Sequence, residues 1–466
     1  MLEKYFAPRK KLYPQNVKGR FRKLKSRLNL LFLSIYCFSP FMRFERGPSA
    51  PNQAILIDIT NSKIYFFFIE IWAQEVFYLA GILILSAIAL FFVTSLFGRV
   101  WCGYACPQTV WTDIFIAIER FFQGDRNDRI LLDRKNNFRK FYKKILTHLS
   151  WIIISLVTGL VFVNYFNDSL LLAKKIANLN FDEISLKVLG WITGIGFMTY
   201  LMAGFAREQV CTYMCPYARF QSAMFDDNTL TISYDKKRGE DRGKWHRGES
   251  FENRGHCIDC KQCVVVCPTG IDIRNGLQME CIACGLCIDA CDEVMHKVGL
   301  PKGLIRYDTL SHLLDPIPQK KFRFLQARTF YYSAILILVS TLMLMSLIYR
   351  PQIETSIFQE RNPLFITLSD GSIRNVYNLK IINKNHEEKQ FSLAISKPNF
   401  AEIKISNHNE NKLKIPAESA VDLKVFVTIP AQNISEITEE QLLIGMILED
   451  LETQKIEKIS TIFIGK

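Results

Sequence analysis

The stretch C-I-D-C-K-Q-C-V-V-V-C-P at residues 257–268 returns as C-I-A-C-G-L-C-I-D-A-C at residues 281–291. Both runs space their cysteines as C-x2-C-x2-C-x3-C, and the second repeats the first with an offset of 24 residues. In bacterial-type ferredoxins three thiolates of one run hold a cubane cluster, and the fourth reaches the other cluster. Zinc sites commonly use separate C-x2-C pairs instead. The stretch therefore predicts an inserted bacterial-type 2[4Fe–4S] ferredoxin domain.

The same rule assigns ligands to each of the two predicted [4Fe–4S] clusters. The first cluster takes Cys257, Cys260, Cys263 and Cys291. The second cluster takes Cys267, Cys281, Cys284 and Cys287. Asp292 follows the last cysteine where the first run has Pro268, and this difference leaves all eight thiolates in place. Neighbouring clusters of this kind relay single electrons, so the sequence predicts an electron-transfer protein.

Long apolar runs on both sides of this stretch predict a multi-domain membrane protein with a five-helix transmembrane bundle. The predicted spans are residues 28–44, 76–97, 145–166, 186–205 and 329–349. The first contains Asn29 and Pro40, and its length of about 17 residues is the lower end of what crosses a bilayer. The run 64–73 is too short and too interrupted to span, so we expect an interfacial segment there.

Basic residues predict which loops lie on which side of the membrane. The net charge is +13; the stretches 98–147 and 206–329 contain ten and eighteen Lys or Arg, against three in 43–75 and two in 167–185. Since cytoplasmic loops carry the excess, we expect the N-terminus and the ferredoxin domain inside and the C-terminal part outside. All twelve patterned cysteines then face a reducing compartment. No nucleic-acid reader motif accompanies the charge, so no nucleic-acid partner is expected.

The residues after the last span have a different pattern. Short strands with alternating apolar and polar residues are predicted over 364–368, 376–383, 389–395, 401–405, 411–415, 421–427, 442–448 and 455–464. Seven or eight strands in about 115 residues favour a C-terminal all-β immunoglobulin-like sandwich. The predicted domains are a basic cytoplasmic tail (1–27), spans one to four with a cytoplasmic loop at 98–144 (28–205), the ferredoxin-like domain (206–328), span five (329–349) and the sandwich (350–466).

Two further cysteine pairs follow predicted spans on the inner side. W-C-G-Y-A-C-P-Q follows the second span and contains Cys102 and Cys106; V-C-T-Y-M-C-P-Y follows the fourth and contains Cys211 and Cys215. In a helix, the i, i+4 spacing places both sulfurs of a pair on one face, and the proline limits that helix or starts a new one. Four such thiols suit a soft ion such as Cu(I), a dithiol–disulfide pair or a further cofactor; the alternative is buried structural cysteine.

The chain resembles the CcoG/FixG family of cytochrome c oxidase accessory proteins over nearly its whole length. The matching segments are W-C-G-Y-A-C-P-Q-T-V-W (101–111), G-D-R (124–126), C-T-Y-M-C-P-Y-A-R-F-Q (211–221), the eight cluster cysteines, V-M-H-K-V-G-L-P-K-G-L-I-R-Y (294–307) and L-S-D-G-S-I-R-N-V-Y (368–377). The resemblance implies a bacterial inner-membrane protein with a periplasmic immunoglobulin-like domain. It also implies reduction of Cu(II) to Cu(I) for assembly of a high-affinity haem–copper oxidase, with oxidase subunits or copper-delivery proteins as partners.

These observations give one hypothesis and two alternatives. In the hypothesis an unidentified donor supplies electrons, and copper, as the substrate, is reduced at Cys102, Cys106, Cys211 and Cys215. Thiolates stabilise Cu(I) over Cu(II), which favours the reduction. No nucleotide motif such as G-x-G-x-x-G is evident, so the donor is external. The first alternative is a quinol-linked electron-transfer protein without copper chemistry, and the second is a non-catalytic assembly scaffold.

Overall fold

The structure is a computed structural model that describes residues 11–47, 50–178, 180–246, 248–314, 326–406, 412–436 and 441–465. Two compact units make up the chain: the residues up to Arg43 with Gln53–Leu344, and Phe44–Asn52 with Met345–Lys466. Three predicted segments lie partly outside the described residues. These parts are the start of the basic tail, residues 315–325 of the ferredoxin-like domain and residue 411 of one predicted strand.

The first unit is mainly helical. The described α-helices are α1 Arg20–Phe38, α2 Val76–Phe97, α3 Val100–Tyr104, α4 Pro107–Gln123, α5 Arg126–Arg134, α6 Phe138–Val163, α7 Ser169–Ala177, α8 Leu186–Thr199, α9 Pro216–Ala223, α10 Lys236–Gly239, α11 Gln262–Val265, α12 Leu286–Lys297, α13 Leu310–Leu314 and α14 Ala327–Ile348. Two π-helical segments, Tyr200–Ala206 and Val210–Met214, follow α8. Short 3-10 turns cover Ser39–Phe41, Ala73–Glu75, Phe181–Glu183, Ile273–Asn275 and, in the second unit, Ala431–Glu436.

Four helical segments in the described part of the chain are long and apolar enough to cross a membrane. They are Ala73–Phe97, Phe138–Val163, Leu186–Ala206 and Ala327–Ile348, and they match the second to fifth predicted spans. The helix that matches the predicted span 145–166 begins earlier, at Phe138. The Asn137 side chain accepts a hydrogen bond from the Lys140 amide and caps the helix there. α6 and α8 pack closely at Gly159, since a Cβ there would lie 2.2 Å from the Ile192 carbonyl oxygen.

The first predicted span corresponds to the end of α1 and the turn that follows it. α1 begins at Arg20, inside the segment predicted as a basic tail. Asp113 of α4 accepts a hydrogen bond from Arg22 at 2.8 Å near this end. At the other end, the hydroxyls of Ser39 and Tyr165 lie 2.6 Å apart, just beyond α6. α1 therefore runs alongside an apolar spanning helix, and its partnered polar side chains explain why it is less apolar than the other four.

A three-stranded antiparallel sheet precedes α2. Its strands are β1 Ile55–Asp58, β2 Lys63–Phe66 and β3 Ile69–Trp72, in that order. The run 64–73, expected as an interfacial segment, is mostly the hairpin of β2 and β3. Alternate residues of this hairpin are buried, namely Lys63, Tyr65, Glu70 and Trp72, so the run forms two short strands of a sheet with apolar residues on both faces. Its position at the membrane interface stays a prediction.

The ferredoxin-like part lies between α9 and α14. β4 Thr231–Tyr234 pairs antiparallel with β5 Ile305–Asp308, and the cysteine loops with α11 and α12 lie between these strands in the sequence. Ile232, Ile288 and Leu304 are buried in its core together with several of the cysteines. The two cysteine runs are therefore held by one small hydrophobic core.

The second unit is the predicted β-sandwich. Its strands are β6 Ile353–Gln359, β7 Ile366–Thr367, β8 Ile373–Asn383, β9 Lys389–Lys397, β10 Glu402–Ile405, β11 Lys412–Ile415, β12 Ser419–Ile429, β13 Gln441–Asp450 and β14 Ile456–Ile464. One antiparallel sheet has the order β10-β12-β8-β6, with β7 beside β8, and the other has the order β11-β9-β13-β14. Tyr377, Val425, Met446 and Phe463 are fully buried in the shared core. Every predicted strand has a counterpart, and the fold class is confirmed; β6 was not predicted.

Candidate metal centres

The eight cysteines of the duplicated stretch line two cavities. The first cavity is lined by Cys257, Cys260, Cys263 and Cys291. The second is lined by Cys267, Cys281, Cys284 and Cys287, and Cys263 borders it as well. Each cavity thus combines three cysteines of one run with Cys291 or Cys267 of the other, and Cys263 lies at the wall of both. This is the arrangement that crossed ligation requires.

The loops that carry these cysteines share an unusual backbone conformation. Asp259 and Lys261 have φ angles of 50° and 57°, and 24 residues later Ala283 and Gly285 have φ angles of 51° and 74°. Left-handed residues next to right-handed ones turn successive amide N–H groups toward one point, which creates a concave anion-binding surface. A cluster with four thiolate ligands is an anion, so these loops suit it.

The burial of the cysteine side chains indicates that the cavities require a positive charge if the thiols are to be deprotonated. Burial raises the pKa of Cys263 and of Cys281 to about 12, so both thiols are protonated near neutral pH. Bound iron ions would supply the positive charge that stabilises thiolates in such places. The residues present therefore fit iron–sulfur clusters on two counts, the pattern of cysteines and the electrostatics of the cavities.

The two cavities differ in their access to solvent. Cys260 of the first cavity is exposed, whereas Cys284 of the second is buried. Residues 12–21, which we call the N-terminal cover, lie over the second cavity: Val17 packs beside Cys284, and the ring centroids of Phe21 and Tyr307 are 5.4 Å apart. This part of the predicted basic tail is therefore packed against the ferredoxin loops.

Both C-x3-C-P motifs interrupt a helical path at the second cysteine. Cys102 lies in α3 and Cys106 directly precedes α4, while Cys211 lies in the π-helical segment Val210–Met214 and Cys215 directly precedes α9. In each motif the proline is the first residue of the new helix, where its missing N–H group is not needed.

The first motif packs directly against the loop of the second cavity. The Tyr104 hydroxyl donates a hydrogen bond to the Cys284 carbonyl oxygen at 2.9 Å. A Cβ added to Gly103 would lie only 2.6 Å from the Ile282 carbonyl oxygen, so the two backbones are in close contact. The residues between Cys102 and Cys106 are thus in direct contact with the backbone of the loop that lines the second cavity.

The four motif cysteines lie near one another. Cys102 and Cys211 both pack against the buried residues around Cys284. Burial, with a smaller contribution from the neighbouring Cys106 and Cys215, raises the pKa of Cys102 to about 11 and that of Cys211 to about 12. The structure thus brings together two pairs that are more than 100 residues apart in the sequence.

Arg99 and Gln221 connect these cysteines to the second cavity. The Gln221 Oε1 atom accepts a hydrogen bond from Arg99 Nε at 2.6 Å and lies 3.5 Å from the Sγ atom of Cys102. Arg99 also donates to the Cys281 carbonyl oxygen at 3.4 Å. Sequence reasoning missed both residues, because Arg99 lies in the short turn before α3, Gln221 lies in α9, and neither belongs to a ligand motif. The one available signal was that Gln221 ends a segment shared with the resembling family.

Three family models match the chain. A 4Fe–4S dicluster domain covers residues 206–310, and a 4Fe–4S binding domain covers residues 79–124, which include the first C-x3-C-P motif. The immunoglobulin-like fold at the C-terminus of FixG covers residues 343–466. Together these matches cover the cysteine stretch, the first motif and the sandwich.

Several known proteins are similar to the chain. Nitrogen fixation protein FixG of Rhizobium meliloti is 39% identical over 470 residues, which cover 93% of this chain and 89% of that protein. Protein RdxA of Cereibacter sphaeroides is 43% identical and covers 92% of both chains, and protein RdxB of the same organism is 40% identical over 99% of this chain and 97% of its own. A crystal structure of a FixG-related protein from Vibrio parahaemolyticus is 19% identical with a TM-score of 0.22, and covers 25% of this chain and 98% of that one.

The extent of these matches identifies the family. Relatives of about 40% identity extend over nearly the whole chain, and the iron–sulfur and immunoglobulin-like models fall on the corresponding parts of the structure. The protein is thus an iron–sulfur membrane protein of redox function, and it belongs to the CcoG/FixG family.

Proposed function

We propose that this protein reduces Cu(II) to Cu(I) for the assembly of a high-affinity haem–copper cytochrome c oxidase. The proposed copper site consists of Cys102, Cys106, Cys211 and Cys215. The observation that carries the proposal is that Cys102 and Cys211, one thiol from each motif, both pack against the buried residues around Cys284 of the second cysteine cavity. A site for a soft ion next to an electron relay has the parts that a metal-ion reductase needs.

The proposed cluster ligands are the two crossed sets. Cys257, Cys260, Cys263 and Cys291 would hold one cluster, and Cys267, Cys281, Cys284 and Cys287 would hold the other. When bound, the clusters supply one-electron transfer. The left-handed loop residues aim backbone N–H groups at both, and the N-terminal cover keeps water from the second.

The exposure of the cysteines supports a direction for the electron. Cys260 brings the first cavity to the protein surface, where an external donor has access. The second cavity is the one that contacts the motif cysteines through Tyr104 and Gly103. We therefore assign electron entry to the first set of ligands and electron exit to the second.

The chemistry at the motif cysteines is a single-electron step. Cu(II) gains one electron, which the external donor provides, and becomes Cu(I). Thiolates are soft ligands that bind Cu(I) strongly, so the site stabilises the product and favours reduction. Metal binding releases the thiol protons, because the raised pKa values of Cys102 and Cys211 leave these thiols protonated without a metal.

The site residues determine the test. Replacing Cys106 and Cys215 by serine removes one thiol from each motif and leaves all eight proposed cluster ligands. We expect anaerobic Cu(II) reduction by the purified, cluster-reconstituted protein, measured with a Cu(I) chelator, to fall about tenfold or more while the iron–sulfur absorbance stays. Cys37→Ser is the matched control, since Cys37 lies in α1 outside every motif.

The outcomes separate the proposal from its alternatives. A C106S/C215S protein with unchanged copper reduction would reject the proposed copper site. Clusters that cycle while copper stays oxidised in the unmodified protein would instead support an electron carrier without copper chemistry. Unchanged oxidase assembly in a folded protein that has lost its clusters would support a scaffold.

The partners and the sides of the membrane are part of the proposal. Loop charge supports a cytoplasmic ferredoxin-like domain and a periplasmic sandwich in a bacterial inner membrane. The proposed partners are oxidase subunits or copper-delivery proteins, together with an external electron donor. An exposed β-sandwich is a common protein-binding domain and suits such contacts.

A further inference from the structure

Arg99 is a buried cation for which the described residues provide no carboxylate partner. Its side chain is 4% exposed just after the end of α2, and its hydrogen bonds go to an amide oxygen and a backbone carbonyl. Other buried arginines of the same unit are neutralised: Arg129 pairs with Glu119, and Arg274 pairs with Asp259 at 2.6 Å. Burying an uncompensated charge is strongly unfavourable, so Arg99 requires an anion nearby.

The groups around Arg99 that can become anionic are cysteines. Burial raises the pKa of Cys102, Cys211 and Cys281, and the charge of Arg99 offsets part of each increase. These three thiols belong to the first motif, the second motif and the second cavity. Arg99 therefore lies between the proposed copper site and the proposed second cluster, and it acts electrostatically on both.

Gln221 fixes the position of this guanidinium group. Its side chain is fully buried, and its Oε1 atom accepts the hydrogen bond from Arg99. Its Nε2 atom has no hydrogen-bond partner within the described part of the chain. A buried N–H donor beside Cys102 is costly unless an acceptor is supplied, and a metal-bound thiolate is such an acceptor.

We propose that Arg99, held by Gln221, is the shared counter-ion of the second iron–sulfur cluster and the four-cysteine site. Both centres are anionic when loaded, and the guanidinium group balances their charge. A disulfide between motif cysteines is neutral and would leave the second cluster as the counter-charge of Arg99. The inference rests on the cluster ligands of the proposed function, and it does not require copper.

The shared charge has a consequence for the direction of electron transfer. A positive charge close to a cluster stabilises the reduced, more negative state and raises its reduction potential. Arg99 lies beside the second set of ligands, whereas Arg274 near the first set is neutralised by Asp259 and Asp272. The second cluster is thereby made the better electron acceptor, which draws the electron inward to the motif cysteines.

The test is a redox titration of the full-length, cluster-reconstituted protein without copper. Electron paramagnetic resonance monitors the reduction of each cluster. In Arg99→Gln we expect one of the two midpoint potentials to fall and the other to stay. Gln221→Glu should do the same, because it places a carboxylate against Arg99 in a side chain of nearly equal size. Arg99→Lys keeps the charge and should restore most of the potential. Lys302→Gln, which removes an exposed cation of the ferredoxin-like part outside both cysteine runs, is the matched control and should shift neither potential strongly.

Each outcome decides the inference. If Arg99→Gln does not fold, Gln221→Glu carries the test alone, since a buried Arg–Glu pair keeps the local packing. Two unchanged midpoint potentials in a folded Gln221→Glu protein would overturn the shared counter-ion. Because the titration contains no copper, a lowered potential supports the counter-ion role of Arg99 even if the cysteine variants reject the copper site. Unchanged potentials reject that role and leave the proposed copper reduction unaffected.

Discussion

The hydroxyl of Tyr234 is buried in the wall of the first cavity, next to the Cys257 side chain. Cys257 is the adjacent ligand, and it is one of the groups that raise the Tyr234 pKa after burial itself. A bound cluster would give this hydroxyl an acceptor, and hydrogen bonds to cluster sulfurs raise the reduction potential. Tyr234→Phe should therefore lower the potential of the first cluster, measured by redox titration, and leave the second unchanged. A shift of the second potential instead would assign the two clusters the other way round.

Spacing in the sequence identified every cysteine but few of its neighbours. The offset of 24 residues predicts the crossed sets of ligands, and the cysteines lining the two cavities are compatible with them, with Cys263 bordering both cavities. Arg99, Gln221 and Tyr234 could not be predicted, because each reaches a site through residues distant in the chain. Only tertiary packing shows that Arg99 has no carboxylate partner among the described residues.

At the scale of elements, the contact between α3 and the loop of the second cavity connects the apolar helices to the ferredoxin-like part. We call this contact the joint. Gly103→Ala would push a Cβ against backbone atoms of Ile282 and Cys284, at 2.6 and 3.0 Å. Overpacking of this kind costs about 1–3 kcal/mol and displaces the backbone. We expect slower copper reduction with both clusters still bound, measured by stopped-flow oxidation of the reduced protein. Gly190→Ala in α8 is the matched control, since nothing lies within 4 Å of its added Cβ. Equal rates in both variants would contradict a role for this joint.

Elements whose apolar residues follow one clear periodicity were predicted from the sequence. Elements that mix apolar with charged residues, or that carry aromatic residues on both faces, were not. The apolar spans and the alternating strands of the sandwich follow from period and length alone. The start of the first span was predicted at residue 28, whereas α1 begins at Arg20. Five Lys or Arg in residues 20–27 indicated a tail, and the sequence does not show that Asp113 and Asp289 bond to the first turns of the helix. The β2–β3 hairpin was missed because aromatic residues on both faces conceal its alternation.

At the scale of the whole molecule, α1 decides whether the number of crossings is odd or even. Residues before it contact the ferredoxin loops, since the Gln15 amide donates to the Val265 carbonyl oxygen at 3.1 Å. Residues after it contact the far end of α6, since the Ile57 amide donates to the Tyr165 carbonyl oxygen at 2.8 Å. At about 1.5 Å per residue, the 19 residues of α1 cover about 28 Å, close to the thickness of the hydrocarbon core. Together with the four apolar helices this predicts five crossings, and the loop charge predicts that the C-terminus lies on the outer side of the membrane.

Reporter fusions test this arrangement on the intact chain. Alkaline phosphatase, which is active only outside the cytoplasm, should be active when fused after residue 465 or inserted at Asn61 between β1 and β2, and inactive when inserted at Glu252 in the ferredoxin-like part. The physical reason is the loop charge, with ten and eighteen Lys or Arg in the two inner stretches against three and two in the outer ones. Activity at Glu252 would invert the predicted orientation, and an inactive fusion after residue 465 would show that α14 does not cross. With activity at Asn61 and residue 465 alone, donor and copper must both approach the clusters from the inner side, and Cu(I) destined for the outer side must be carried across by another protein.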